Sequence, residues 1–217
     1  PTTVSFTVDT TAPTAPTVEP LPNPSATGAV TLSGTTSPNA DIEVTNASGT
    51  VLCTTTATST GYYSCGPLTP APLDGTHSLT ITACDTATLP NCSNTPTTLT
   101  VDTGLPAAPT LIRLGGDTTA PYRTSDTTPT LVGSGEASSV ITVRTTTGVF
   151  IASGTVDLSG SYALTLSPSL AEGSYTVDIT STDLADNESL PTTVSFTVDT
   201  TAPTAPTVSS FINPVST

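Results

Sequence analysis

The sequence predicts an all-β protein: two antiparallel β-sandwiches in tandem, joined by proline-rich linkers. Three observations predict it: a strand-forming composition, a length that suits two small sandwiches, and an internal repeat with two related halves. The chain has 217 residues, about twice the ~100 residues of one small sandwich. It has no Met, Gln or Lys and 53 Thr; Thr, Val and Ile favour strands because branching at Cβ suits a pleated surface. The 21 Pro and 15 Gly punctuate strands. With 35% hydrophobic and 4% aromatic residues, each core must be thin and aliphatic.

The repeat orders the chain. Residues 1–18, PTTVSFTVDTTAPTAPTV, recur unchanged at 191–208, an offset of 190. Thr-Val-Asp-Thr occurs at 7–10, 100–103 and 197–200, so its aspartates Asp9, Asp102 and Asp199 lie 93 and 97 residues apart. The reading is therefore 1–9 as the last strand of a preceding repeat, 10–102 as domain A, 103–199 as domain B, and 200–217 as a linker and the start of another A-type domain. The halves align internally. Gly34 falls on Gly133, Ile42 and Val44 on Ile141 and Val143, Gly61 on Gly160, and DGTHSLTITACD (74–85) on EGSYTVDITSTD (172–183).

Within B, strand signals recur at Leu131–Gly133, Val140–Val143, Val149–Ala152, Tyr162–Leu166, Tyr175–Ile179 and Val194–Val198. Several alternate apolar with polar, and Gly, Pro, Asn or Asp separates them. About seven short antiparallel strands per half is the pattern of an immunoglobulin-like sandwich. The Thr-Thr-Ala-Pro-Thr-Ala-Pro linkers favour extended, semi-rigid backbone.

Composition excludes several functions. The net charge of −14, from 17 acids against three Arg, opposes binding to nucleic acid, which needs a basic surface. No apolar run approaches the ~20 residues of a membrane helix. No signal peptide is legible, which reads as an internal fragment or a mature chain. His77 is the only histidine. It shares strand parity with Leu79 and Ile81, which points it toward the core or its margin, and no G-x-S-x-G motif accompanies it. The expectation is that the chain is not an enzyme. Without Lys or Gln, neither a Lys–Asn isopeptide nor a Thr–Gln ester can form.

VDTTAPTAPTV, DTTPTLVGSGEASS (126–139) and EGSYTVDITSTDLADNES (172–189) resemble the bacterial Ig-like repeats of giant surface adhesins and biofilm proteins. The resemblance covers B fully and A in part. It implies a long secreted stalk on the cell surface, partnered by neighbouring repeats of the same chain, with calcium stiffening the domain junctions in many members.

That strand order puts the loops carrying Glu136 and Asp183, Asp186, Asn187 and Glu188 at the end of B nearest the linker aspartate Asp102. Carboxylates so gathered would repel one another without a cation, and calcium takes 6–8 hard oxygen ligands. Asp102, Glu136, Asp183, Asp186 and Asn187 are thus candidate calcium ligands; turn chemistry, in which Asp and Asn bond their own backbone, is the competing reading. Asp117, Asp126 and Glu172 form a weaker candidate cluster. Domain A has Ser37 and Pro38 where B has Glu136 and Ala137, and only Asp85 is seen to survive of the loop acids. The junction before A is expected to be softer or held by other means.

All four cysteines lie in A. Four allow three pairings, and the local ones, Cys53–Cys65 and Cys84–Cys92, are the most economical. An even count without C-x₂-C spacing points to disulfides and an oxidising compartment rather than zinc. Three functions compete: a stalk; a glycan- or receptor-binding module, for which Tyr62, Tyr63, Tyr122 and Tyr162 are the available aromatics; and a self-assembling fibre using strand exchange. In the last, residues 1–8 and 209–217 are either poorly ordered or paired with another copy.

Overall fold

A computed structural model describes residues 2–3 and 8–208. Most of the two terminal stretches whose ordering was at issue lies outside the described residues. The chain divides into two compact units, Pro1–Ala107 with Thr182–Leu190, and Ala108–Ser181 with Pro191–Thr217. Every regular element among the described residues is a strand, as the shortage of helix formers dictates, and no helix is long and apolar enough to cross a membrane.

In the first unit, β1 (Leu32–Thr35) pairs with β4 (Tyr62–Cys65), and β2 (Asp41–Asn46), β3 (Val51–Thr56), β5 (Gly75–Cys84) and β6 (Cys92–Val101) form a sheet in the order β3-β2-β5-β6. The alternation that the sequence shows is used: Ile42, Val44, Leu79, Ile81 and Leu99 are buried together with Leu32 and Tyr63. The entry segment runs along the open side of β1, where Thr17 N donates to Thr35 O and Glu19 N to Ser33 O, both at 2.8 Å. It then crosses to the other sheet, where Ser25 bridges Val101 in parallel.

The second unit repeats the plan. Strands β7 (Thr110–Leu114), β9 (Thr130–Ser134) and β12 (Ser161–Thr165) form one sheet in the order β12-β9-β7. The other contains β8 (Tyr122–Thr124), β10 (Val140–Thr145), β11 (Phe150–Thr155), β13 (Gly173–Thr182) and β14 (Thr192–Val198) in the order β11-β10-β13-β14-β8. Here β7 and β8 do what residues 17–25 do in the first unit, and β8 pairs in parallel with β14. The aliphatic core of Leu131, Ile141, Val143, Val177 and Ile179 is closed by Phe196, stacked on Tyr175 at 5.4 Å.

The aligned glycines have a packing reason. A Cβ on Gly34 would lie 2.0 Å from Thr17 O, and one on Gly133 would lie 1.9 Å from Thr110 O and 2.5 Å from the Tyr162 hydroxyl. Only glycine lets the entry strand pass this close. The strand is then pinned by Tyr63, which donates to Thr17 O at 2.6 Å, and by Tyr162, which donates to Thr110 O at 2.9 Å.

The disulfides Cys53–Cys65 and Cys84–Cys92 are formed. The first ties β3 of one sheet to β4 of the other; the second closes the loop between β5 and β6. His77 is half-buried, and its Nε2 meets Leu73 O at 2.6 Å. Its counterpart Tyr175 donates to Ala171 O at 2.8 Å, so both side chains brace the turn that precedes their strand.

Candidate functional site

The most built polar constellation lies where a loop meets a linker. In the loop after β13, Asp183 Oδ1 accepts the backbone N–H of Ala185 at 2.8 Å and of Asn187 at 2.9 Å, while Oδ2 accepts the Asn187 side-chain amide at 2.9 Å. Asp186 takes the left-handed conformation at φ 68°, which Asp tolerates, and this folds the loop back on itself. The second hydrogen of the Asn187 amide reaches the backbone carbonyl of Asp102 at 2.8 Å. Asp183 and Asn187 are each 9% exposed. Burial pushes the Asp183 carboxyl up, but the Asn187 amide and the two backbone N–H groups outweigh it and hold it below its ordinary value.

The same device occurs in the first domain. Asp85 Oδ1 accepts the N–H of Ala87 and of Asn91, both at 3.1 Å, and Oδ2 accepts the Asn91 amide at 2.7 Å. Asn91 Nδ2 also donates to Asp9 O at 3.1 Å. Asn91 escapes the sequence alignment because its loop is two residues longer, with Asp and Asn six apart rather than four. A signal for it exists: both asparagines open an Asn-x-Ser triplet, Asn91-Cys92-Ser93 and Asn187-Glu188-Ser189. The Asp9 carbonyl is thus held by Asn91 as that of Asp102 is by Asn187.

A second grip acts on the residues after two of the marker aspartates, Asp102 and Asp199. Asp74 Oδ1 accepts Thr103 N at 3.0 Å and Thr103 Oγ1 at 2.9 Å. Glu172, its aligned counterpart, accepts Thr200 Oγ1 at 2.8 Å and Thr201 Oγ1 at 2.9 Å. Hydrogen bonds from the Thr200 and Thr201 side chains hold the Glu172 carboxyl below its ordinary value. Asp9, Asp102 and Asp199 each turn Oδ1 onto an N–H two residues on, at 2.9, 3.1 and 3.1 Å. The linkers that follow β6 and β14 thus leave their strands through the same Asp-Thr turn, and Asp9 makes that turn too.

Of the sequence-inferred calcium ligands, Asp102, Asp183 and Asn187 come together, through a carbonyl, a carboxylate and an amide N–H. Asp186 is exposed in the same loop. Glu136 belongs to the second unit, with an exposed side chain, and its carbonyl accepts Ser139 Oγ at 2.7 Å. The donor set is hard and oxygen-rich, as calcium requires, but among the described residues no three His, Cys, Asp or Glu side chains are gathered to hold a metal. For an ion to seat here, Asn187 would have to release Asp183 Oδ2 and present its own carbonyl. Asp117 and Asp126 serve turns, accepting Thr119 N and Arg123 N, and Thr128 N. In the first domain Ser37, aligned with Glu136, accepts Thr14 N at 2.9 Å. At the start of A, then, a hydroxyl holds Thr14 N and an amide holds the Asp9 carbonyl.

A family profile described as bacterial Ig domain matches residues 12–102 and again residues 106–198. The chain belongs to the bacterial Ig domain family. Among curated proteins no sequence matches. Solved structures that are similar to this bacterial Ig pair include a biofilm associated protein (BSP domain), at 19% identity and TM-score 0.34, covering 88% of this chain and 30% of that one. The fibronectin(III)-like modules of Clostridium thermocellum CbhA match at 18% identity and TM-score 0.49, covering 84% and 93%. A 1.5-MDa bacterial ice-binding adhesin matches at 24% identity and TM-score 0.38, covering 78% and 58%. The chain therefore spans under two thirds of the biofilm protein and of the ice-binding adhesin that it resembles. In these bacterial Ig domains the grips lie on the boundaries that the family match leaves between copies.

Proposed function

We propose that this chain is a spacer segment in the stalk of a bacterial surface adhesin, and that its linkers are held by side chains rather than left as free hinges. The observation that carries the reading is the double grip on the linker between A and B. Asn187 holds the carbonyl of Asp102, and Asp74 holds the N–H and hydroxyl of Thr103. Two adjacent residues fixed from opposite sides in sequence lose the backbone freedom that a hinge needs. A tether with stiff joints projects its tip further than a flexible chain of the same length.

Calcium belongs to this reading as a further proposal, on the ligands inferred from the sequence: Asp102, Glu136 and Asp183, completed by Asp186 or Asn187. Small-angle scattering of the whole chain tests both parts. Asn187→Ala is expected to broaden the distribution of interatomic distances at its long end; an unchanged distribution removes the grip from the account. Chelation that shifts the wild type but not Glu136→Ala supports the ion. Chelation without effect leaves the joint to hydrogen bonds alone.

A further inference from the structure

The two domains fill the same place differently. In B, Leu170 packs against the core and Tyr175 stacks on Phe196. In A the aligned residues are Pro72 and His77, and His77 faces Leu99 across the ladder where Tyr175 faces Phe196. These smaller groups leave a cavity of about 320 Å³ in A, lined by the buried Leu52 and Leu79 and by Pro70, Pro72, Asn46 and His77. Every lining residue belongs to the first unit. The segment that walls the cavity is pinned: Leu68 N donates to Val30 O at 2.9 Å and Thr69 N to Leu52 O at 2.8 Å. Pro72 O lies so near Gly28 that a Cβ there would meet it at 1.8 Å. The cavity is therefore built into the domain and is not a gap beneath a loose loop.

Two polar atoms of the lining residues have no partner among the described residues. His77 Nε2 meets Leu73 O at 2.6 Å. A carbonyl only accepts, so Nε2 is the donor and Nδ1 of the neutral ring remains an acceptor. Asn46 Oδ1 accepts Ser48 N at 3.0 Å, Ser48 Oγ at 2.7 Å and Thr50 N at 2.9 Å, which leaves its Nδ2 as a donor. A single hydroxyl meets both needs, donating to Nδ1 and accepting from Nδ2. The net charge of −14 repels anions. We infer that this cavity is a ligand site in A, and that the class it takes is a small uncharged phenol. Its ring lies on Leu52 and Leu79, where B packs its own side chains, and its hydroxyl lies between His77 and Asn46. The volume stands at the lower end of the ~300–1,000 Å³ of small-molecule pockets, which limits the ligand to one ring with short substituents. The inference goes beyond the spacer reading and does not depend on it.

The test uses the whole chain and p-cresol, the tyrosine side chain as a free molecule. Titration followed by methyl and imidazole NMR should give saturable shifts at Leu52, Leu79 and His77, at about millimolar ligand as suits so small a molecule. Ile151 and Val177, the counterparts of the two leucines in B, should stay still. Toluene, which lacks the hydroxyl, should bind about fivefold more weakly, the worth of a net hydrogen bond. Pro72→Leu with His77→Tyr gives A the side chains that B packs in this place and should abolish the shifts. Shifts that do not saturate overturn the inference, as do equal shifts at Ile151 and Val177. Toluene binding as tightly as p-cresol overturns it too, because the cavity is then merely apolar. So does undiminished binding to the double variant. The comparison of Leu52 with Ile151 is made in the wild type and decides the matter even if the double variant fails to fold.

Discussion

Asn187 donates one amide hydrogen to the carbonyl of Asp102, 85 residues earlier in the chain, at 2.8 Å, and the other to Asp183 Oδ2 at 2.9 Å. Both acceptors lose a partner if the amide is removed, and Asp183 is 9% exposed. Asn187→Ala is expected to destabilise the fold by about 1–3 kcal/mol, the range for stranding a buried or charged acceptor. The measurement is the urea midpoint at unchanged slope. Asn187→Asp should fall further, because it sets a second carboxylate against Asp183. Asn91→Ala should act in the same direction on domain A, with a smaller effect because Cys84–Cys92 still closes its loop.

Stability should be lost at both extremes of pH, for separate reasons. Hydrogen bonds from the Asn91 side chain hold the Asp85 carboxyl below its ordinary value of 3.8, as the Asn187 bonds do for Asp183 against the pull of burial. A depressed carboxyl stabilises the fold fully above its unfolded value, and the contribution fades as pH falls through the lower folded one. Acid unfolding should therefore set in below pH 3.8, and Asn187→Ala should flatten that limb. At the other end, burial pushes the Tyr63 and Tyr162 hydroxyls from 10.0 up to about 12, with Glu19 and Tyr122 adding to it. Their contribution is complete below pH 10.0 and is lost as pH rises toward 12. Tyr162→Phe should remove part of the alkaline limb in domain B alone.

Reduction should weaken A and leave B untouched, since B has Ala152 and Leu164 where A has Cys53 and Cys65. The bonds close loops of 12 and 8 residues, and each should contribute about 2–4 kcal/mol. Calorimetry with and without reductant should resolve two transitions, of which only one moves. Two transitions that shift together would mean that the domains do not unfold independently.

The glycines of the entry crossing should be intolerant. Gly133→Ala would place a methyl 1.9 Å from Thr110 O, and Gly34→Ala one 2.0 Å from Thr17 O. Each is backbone, which cannot swing aside as a side-chain tip can, so the entry strand must lift away. The expected cost is about 1–3 kcal/mol or more, as for other overpacked sites. Gly148→Ala meets nothing within 4 Å but sits at φ +88°, so any cost there comes from backbone strain alone.

Much of this was legible before any coordinates. The two related halves of the 190-residue unit aligned Gly34 with Gly133 and DGTHSLTITACD with EGSYTVDITSTD, and those alignments carry the architecture. Spacing pointed to the two disulfides. The expected strand order put the loops carrying Glu136 and Asp183, Asp186 and Asn187 beside Asp102, and of these Asn187 is bonded to both Asp183 and the Asp102 carbonyl. It could not give the direction of the Asn187 amide, which makes the site a donor onto two oxygens as well as a set of ligands. Asn91 was hidden by a two-residue insertion, since aligning from Asp85 alone puts it out of step. Ser37 looked like a missing ligand because a hydroxyl does not register as a replacement for a carboxylate until the Thr14 N–H it accepts is seen.

The linker between A and B gives the most direct test of the grips, through its own amides. Thr103 N donates to Asp74 Oδ1 at 3.0 Å and Gly104 N to Asp102 Oδ1 at 3.1 Å. Both residues are exposed, so burial does not protect their hydrogens; only the bonds do. Exchange at Thr103 should accelerate in Asp74→Ala and be partly restored in Asp74→Asn, which keeps one acceptor oxygen. Exchange at Gly104 should depend on Asp102 instead and respond to Asp102→Ala. In Asn187→Ala both amides should speed up modestly, because the Asp102 carbonyl is no longer anchored and the Asp-Thr turn frays from that side. The pattern separates a held linker from one that is merely stiff by composition. Prolines restrict φ without protecting neighbouring amides, so a proline-only linker predicts fast exchange at Thr103 and Gly104 in the wild type and no response to any of these variants.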